Sequence, residues 1–510
     1  MADKVIVVEA GMDQCDIDRT PSALFTDDEH QRYTWLCRHS GRMAIKNHRN
    51  GSVRDPKTSS PPRYSTLVLD ASGDEWLTNW ERLFETLRIQ QLRNPKFFHV
   101  DPAHRDALLE FAVTSGRTGE CAEVNGCVGR ERSKHARKKE RAAKRQDYYT
   151  PSSGLFVDQC RGIVDHYCLR DGMIRKEVVE DLDYHVGDGV GEGLFTVKTN
   201  RGMHQARIVV IAVGPGNSPR IPGQIPGQRI DGACHVMQME KFPDPVVKTK
   251  ITRGQTTNVL VVGGGLTSAQ IGDLEIKSGV TKVWHVMRSH LKVKPFDLNL
   301  EWLGKFRNVK QAIFWSADSD EERWEQIKLA RNGGSITPTF HKIMKAHVAR
   351  GRLSVFTNTV VEARVWDPGA QRWTVQTEPE IDLPPLDYIY YATGIQSDIR
   401  SLPFLQTIQK KFPIESHGGL PCINDDLMWK DEVPLFVTGR LGALKIGPGA
   451  ANLAGARSGA ERIAWSIADI LDENDVNLVD KDLSSLGIGN RYNSLTSDSE
   501  TDPDESQESA

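Results

Sequence analysis

One stretch of thirteen residues constrains this chain more than any other: Asn258-Val-Leu-Val-Val-Gly263-Gly264-Gly265-Leu-Thr-Ser268-Ala269-Gln270. An apolar run without alternation reads as a strand covered on both faces, and the glycines after it turn the chain into a helix. In a dinucleotide-binding turn the first glycine, Gly263, permits the tight bend. The second, Gly265, lets a pyrophosphate approach the backbone, and small residues such as Ser268 and Ala269 let the helix pack close to the sheet. The unpaired N–H groups at the helix start then face the anion. A second strand, Lys282–Met287, follows in register, as a βαβ unit requires. A dinucleotide site is therefore expected here, with a purely structural glycine turn as the alternative.

That second strand ends in Arg288-Ser289, 25 residues after Gly263, where an NAD-preferring fold carries an acid for the ribose hydroxyls. Arg288, with Lys292 and Lys294 close behind, can pair with a 2′-phosphate instead, so NADPH is expected over NADH. The alternative is a solvated arginine at a strand end.

Three further apolar runs end in small residues or glycine. Lys4–Val8 leads into Glu9-Ala10-Gly11, Ile208–Ile211 into Ala212-Val213-Gly214-Pro215, and Tyr388–Tyr391 into Ala392-Thr393-Gly394. Helix-like stretches lie between them at Trp76–Leu87, Arg105–Val113 and Ser153–Arg170. The fold class is α/β, with parallel strands flanked by helices. A last strand and glycine-rich loop, Leu435-Phe-Val-Thr-Gly439 to Gly447-Pro448, precede a helix striped by Leu453, Ala456, Ala460, Ile463, Ile467 and Ile470. The N-terminus of that helix points to a second dinucleotide site.

Composition excludes several classes. The 510 residues carry a net charge of only −3, so nothing global calls for a nucleic-acid or membrane-surface partner. No apolar run is long enough to span a bilayer, and the start lacks a signal-peptide core, so a cytoplasmic protein is expected. The eight cysteines form no Cys-x-x-Cys pair, and Cys121 and Cys127 read as isolated thiols, so no metal is expected. His-Glu-x-x-His, Walker and Gly-x-Ser-x-Gly motifs are absent, which removes the simple protease, NTPase and hydrolase readings. Nine Lys or Arg residues between Arg130 and Arg145 mark a basic insertion, about residues 115–147, and read as solvated charge, with a nuclear-localisation or nucleic-acid role as the alternative. After Glu473 the chain is Asp-, Glu- and Ser-rich, an expected disordered tail.

Together these segments resemble the two-dinucleotide-binding flavoproteins, and within them the N-hydroxylating ornithine/lysine monooxygenases. The resemblance rests on the Gly263–Ala269 turn, Ala212-Val-Gly214-Pro-x-x-x-Pro219-x-Ile-Pro222, Asp387-x-x-x-Tyr391-Ala392-Thr393-Gly394, and the closing Gly439 to Gly447-Pro448 loop. Leu92-Arg93-Asn94-Pro95-x-Phe-Phe-His99 with Asp101-Pro102 is similar to a stretch that such enzymes place near flavin and substrate.

The resemblance implies two Rossmann-like domains, with an NADPH-binding domain (226–380) inserted in a discontinuous FAD-binding domain (1–225 and 381–473), ahead of the tail at 474–510. It implies FAD and NADPH as cofactors, and a small amine and O2 as substrates, hydroxylated through a flavin C4a-hydroperoxide. Gly214, Ala392, Thr393, Gly394, Gly439 and Gly447 become cofactor-binding residues.

Three departures accompany the resemblance. No Gly-x-Gly-x-x-Gly turn follows the first strand. Lys4–Val8 is therefore expected to be the next strand of the fold, with Glu9 gripping the adenosine ribose, so that the first β-α unit is missing. The alternative is that Glu9-Ala10-Gly11-x-x-Gln14 is a decayed form of that turn. The His-containing fingerprint before the NADPH domain is reduced to Gly232-Ala-Cys-His235, and Arg440 follows Gly439 where disulfide reductases of the superfamily carry aspartate.

No catalytic residue is fixed by pattern. His99, His235 and Lys294 are the polar candidates near the flavin, each more simply read as structural. The absence of a thiol pair argues against a disulfide reductase. A non-catalytic remnant that has lost FAD binding, or an NADPH oxidase or reductase, are the alternatives.

Overall fold

A computed structural model describes residues 4–9, 45–46, 53–54 and most of 65–472, with internal gaps at 102–105, 125–126, 128–147, 168, 170–171, 187–192, 217, 224–229 and 304–306. The basic run at 130–145 and the acidic tail lie outside the described residues. The chain divides into two units. The first, residues 1–10 and 65–463, carries every feature discussed below. The second, 11–64 and 464–510, is described only by a two-residue strand pair, Ile45–Lys46 with Val53–Arg54, and the last residues of the terminal helix.

The first unit is built on two sheets. The chain enters one sheet with β1 (Lys4–Glu9), β2 (Ser65–Asp70), β3 (Ile174–Arg175) and β4 (Ile208–Ala212). It then builds the other from β5 (Ala233–His235), β6 (Asn258–Val262), β7 (Lys282–Met287), β8 (Leu353–Thr357) and β9 (Tyr388–Tyr391). It returns to the first with β10 (Met428–Lys430) and β11 (Val433–Val437). The strand orders are β10-β11-β4-β1-β2-β3 and β5-β9-β6-β7-β8.

The second sheet is parallel throughout. Its strands alternate between two apolar layers: Val259, Val261, Val283, Tyr388 and Tyr390 face one, while Leu260, Val286, Ile389 and Tyr391 face the other. Burial on both faces explains why these runs read as continuously apolar. Between β6 and β7 lies helix α1 (Leu266–Ser278), whose residues from Ser268 to Ile276 are all buried, and which ends on Gly279 at φ 107°.

The first sheet corrects two expectations. β4 and β11 run parallel, as do β2 and β3, but β1 sits between β4 and β2 and is antiparallel to both. Lys4 pairs with Ala212 and Asp70, while Glu9 pairs with Ser65. Glu9 is thus five residues, roughly 17 Å, from the edge where β2, β4 and β11 end, and not at the ribose position expected of it. Asp70, closing β2, is the acid at that edge. The domain division also shifts, because β9 hydrogen-bonds between β5 and β6 and so belongs to the second sheet, beyond the expected boundary at 380.

The two crossings between the sheets are zipped to each other. Ser218–Pro219 pairs antiparallel with Ile395–Gln396, the Arg220 N–H donates to the Gly394 carbonyl at 3.2 Å, and the Thr393 hydroxyl donates to the Arg220 carbonyl.

Candidate functional site

The second sheet reverses its winding at β6: the chain proceeds through β7 and β8 on one side and returns through β9 on the other. Ligands of open α/β sheets bind outside the carboxyl ends of the strands at such a switch point, and the glycine turn lies there. Gly263 has φ 152°, and a Cβ on it would stand 2.4 Å from the Ala392 carbonyl oxygen, so the turn after β6 and the small residues after β9 fit only without a side chain. A Cβ on Gly265 would meet nothing within 4 Å; the space in front of α1 is open. In that first turn the Ser268 hydroxyl donates to the Gly265 carbonyl at 2.7 Å, and Ala269 is buried in the layer between helix and sheet.

His285 on β7 is fully buried and donates from Nε2 to the Gly263 carbonyl at 2.7 Å; burial pushes its pKa down to about 4, so the neutral ring braces the turn. Arg288, at the end of β7, is exposed. The lysines after it are committed elsewhere: Lys292 Nζ donates to the carbonyl and side-chain oxygens of Asn332 at 2.8 and 2.9 Å, and Lys294 Nζ to the Arg331 carbonyl at 2.9 Å. Of the expected basic trio, Arg288 alone is left for a 2′-phosphate.

Beside this turn opens a cavity of about 900 Å³, within the size of small-molecule and cofactor sites. The carboxyl edge of the first sheet supplies Asp70, Ala212, Gly214, Thr438, Gly439 and Arg440. The second sheet adds His235, Ala392 and Gly394, and the start of α1 adds Leu266, Thr267 and Gln270. Apolar walls come from Trp80, Phe84, Leu87 and Ile89, with Trp80 and Phe84 stacked at 3.7 Å.

Of the residues expected to bind cofactor, Gly214, Ala392, Gly394 and Gly439 line this cavity, and Gly263, Gly265, Ser268 and Ala269 form the turn next to it. Thr393 instead ties the two crossings together, and Gly447 borders a separate cleft of about 50 Å³.

His235 lines the cavity with both ring nitrogens engaged. Nδ1 accepts the Met237 N–H at 3.2 Å and Nε2 donates to the Gly394 carbonyl at 3.1 Å, while burial pushes its pKa down to about 4. Its tautomer is fixed, with the Nε2 proton held on the Gly394 carbonyl, so the neutral ring positions the crossing after β9. His99 is buried and does not line the cavity. Burial, and then the charge of Arg93, lowers the pKa of Lys294.

Residues not among the expected cofactor-binding ones complete the site. Arg93 reaches across to the second sheet's loops and donates to the carbonyls of Lys294, Pro295, Phe296 and Ser335 and to the Ser335 hydroxyl, at 2.8 to 3.4 Å. The loop it grips is the one in which Gly334 packs on the glycine turn: a Cβ there would stand 3.2 Å from Gly264 and Gly265. Arg331, at the end of α2 (Asp320–Arg331), donates to the Pro448 carbonyl at 3.2 Å and pairs with Asp297 at 3.0 Å. Asp70 accepts the Ser72 N–H at 2.8 Å. An apolar run closed by an acid before small residues, Leu67-Val68-Leu69-Asp70-Ala71, was the available signal for Asp70. Arg93 stands in the Leu92–His99 stretch that the resemblance places near flavin and substrate, but its partners, about 200 residues away, carried no local signal.

The donor set fits two dinucleotide-type ligands in part. The turn at Gly263–Gly265 suits a pyrophosphate, and the cavity suits a flat ring against Gly214, Gly394 and Gly439. No glycine turn follows β1 at this edge among the described residues, because β1 runs the other way. Cys121 and Cys127 are free thiols, burial pushing Cys127 up to about 11, and no group of metal-ligating residues exists among the described residues.

Known structures share this architecture. An ornithine N-hydroxylase of Kutzneria sp. 744, solved with reduced FAD, NADP+ and L-ornithine, superposes with a TM-score of 0.58 at 16% identity, covering 81% of this chain and 94% of that one. An ornithine hydroxylase of Pseudomonas aeruginosa gives 0.54 at 17% identity, over 79% and 91%. The FAD-bound cadaverine monooxygenase of Erwinia amylovora gives 0.54 at 15% identity, over 79% and 87%. Over 124 residues, 24% of its length, the chain is 34% identical to an uncharacterised oxidoreductase, CzcO, of Bacillus velezensis, of which it spans 30%. No family model matches the chain. The chain thus has the two-dinucleotide-binding fold of the N-hydroxylating flavin monooxygenases.

Proposed function

We propose that this chain is an FAD- and NADPH-dependent oxidoreductase, and specifically a monooxygenase that hydroxylates a small amine. One observation carries the reading: a glycine turn at the switch point of a parallel sheet opens beside a cavity of about 900 Å³ walled by the carboxyl edge of a second sheet. The shared fold supports it, since proteins of that architecture are described as ornithine and cadaverine hydroxylating enzymes.

In this reading Gly263, Gly265 and the start of α1 hold the NADPH pyrophosphate, and Arg288 pairs with its 2′-phosphate. Gly214, Gly394 and Gly439 let the flavin ring lie against backbone. The segment from about 226 through β9 forms the NADPH module. When bound, the flavin supplies the two-electron and oxygen chemistry. The protein's own part is positioning and water exclusion. Trp80, Phe84, Leu87 and Ile89 keep the reacting face dry, neutral His235 fixes the crossing after β9, and Arg93 holds the loop over the glycine turn. Cys160, the cavity's own thiol, has its pKa pushed up to about 12 by burial, which supports oxygen over thiol chemistry. No helix among the described residues is long and apolar enough to cross a membrane.

The test is reconstitution. Chain purified with added FAD should be yellow, its flavin should bleach with NADPH under anaerobic conditions, and aerobic turnover with ornithine, lysine or cadaverine should yield product one oxygen heavier. A chain that stays colourless with added FAD would overturn the reading. NADPH oxidation with no product gaining oxygen would assign an oxidase instead.

A further inference from the structure

Three arginines line the cavity, against one carboxylate, Asp70. Two of the three are held: Arg93 by four carbonyls and a hydroxyl, Arg331 by Asp297 and the Pro448 carbonyl. The guanidinium of Arg440, directly after Gly439 at the end of β11, makes no hydrogen bond or ion pair with any described residue. A guanidinium has five N–H donors, and a partly buried one left unpaired is costly. Burial, and then the nearby positive charge of Arg331, lowers its pKa, so the protein around it works against this cation.

An unpaired guanidinium that lines a cavity is complementary to oxygen atoms carrying negative charge. The edge it occupies is also where, among the described residues, the reversed β1 supplies no glycine turn to a phosphate.

We propose that Arg440 forms an oxyanion subsite that takes a phosphate or carboxylate of the molecule bound in the cavity. The inference deepens the proposed function and rests on it only for the two possible sources, the pyrophosphate of a flavin nucleotide or the carboxylate of an amino-acid substrate. Arg440 is suited to the task because its planar fork binds such groups in two-point fashion.

The experiment starts with ligand-free chain and inorganic pyrophosphate. Pyrophosphate raises the melting temperature of the wild type and leaves Arg440→Gln unmoved, with Arg440→Lys in between. Ligand-free Arg440→Gln melts at or above the wild type, because it removes a charge that nothing balances. Arg440→Gln then weakens FAD about 10- to 100-fold and riboflavin not at all if the source is the flavin nucleotide's phosphate. If the source is the substrate carboxylate, FAD binding holds, the KM for ornithine rises by a similar factor, and that for cadaverine does not move. The proposal is overturned if Arg440→Gln responds to pyrophosphate, FAD and ornithine as the wild type does, or if the ligand-free variant is destabilised. A chain that oxidises nothing but still shows the pyrophosphate difference would refute the proposed function and leave the subsite standing.

Discussion

Glu275 on α1 gives the sharpest quantitative prediction. The residue is fully buried. Burial raises its pKa from the usual 4.5 to about 8; the charge of Asp244 adds to the rise and the Tyr390 hydroxyl offsets part of it. Between those values the folded chain keeps a proton that the unfolded chain has released, so unfolding stability falls as pH rises. The slope is about 1.4 kcal/mol per pH unit from this one group. Glu275→Gln, neutral at every pH, removes that slope. Relative to wild type, the variant should gain about 3 kcal/mol between pH 5 and pH 7, read as urea unfolding midpoints at the two values with m unchanged. A stability difference that is the same at both pH values, or that shrinks as pH rises, would refute the reasoning, since it would mean that Glu275 is ionised in the folded chain.

The remaining predictions concern the site. Gly263→Ala must force a Cβ to 2.4 Å from the Ala392 carbonyl oxygen and should cost about 2–4 kcal/mol in urea unfolding. Two residues on, a Cβ added at Gly265 meets no atom within 4 Å, which leaves room for Gly265→Val. It should fold with normal flavin content yet abolish flavin reduction by NADPH; loss of flavin as well would mean the two dinucleotide sites are wrongly assigned. Arg288→Ala should raise the KM for NADPH about 10- to 100-fold and leave that for NADH unchanged, as a lost charge-assisted contact does. Arg93→Lys replaces a five-donor fork by one ammonium and should cost about 2–3 kcal/mol in urea unfolding, together with a rise in the KM for NADPH at unchanged flavin content.

Much of the second sheet was legible from local pattern. Lys282–Met287 forms the strand read from its apolar run, Trp76–Leu87 and Ser153–Arg170 contain the expected helices, and the turn at Gly263 sits where its glycines indicate. In each case the signal and its cause are within a few residues: a strand buried on both faces must be apolar throughout, and a bend at φ 152° requires glycine. The end of the inserted segment was misread because Tyr388–Tyr391 is apolar in either sheet. Only its pairing with β5 and β6 assigns it.

The first strand marks the same limit more sharply. Lys4–Val8 announces a strand by composition, but an apolar run has no direction, and the antiparallel pairing that carries Glu9 to the far edge is decided by β2 and β4. The pairing of Arg93 and of Arg440 was equally opaque. An arginine's partners, or its lack of them, are set by carbonyls and charges brought together from distant parts of the chain, as when Arg93 meets Ser335. The sequence by itself determined which segments are strands, where the chain must turn on glycine, and where the helix after that turn begins, because those depend on neighbours within a turn or a strand. Tertiary structure alone decided strand direction, the acid at the cavity edge, and which cations remain unpaired, because burial and pairing are properties of residues that meet only once the chain has folded.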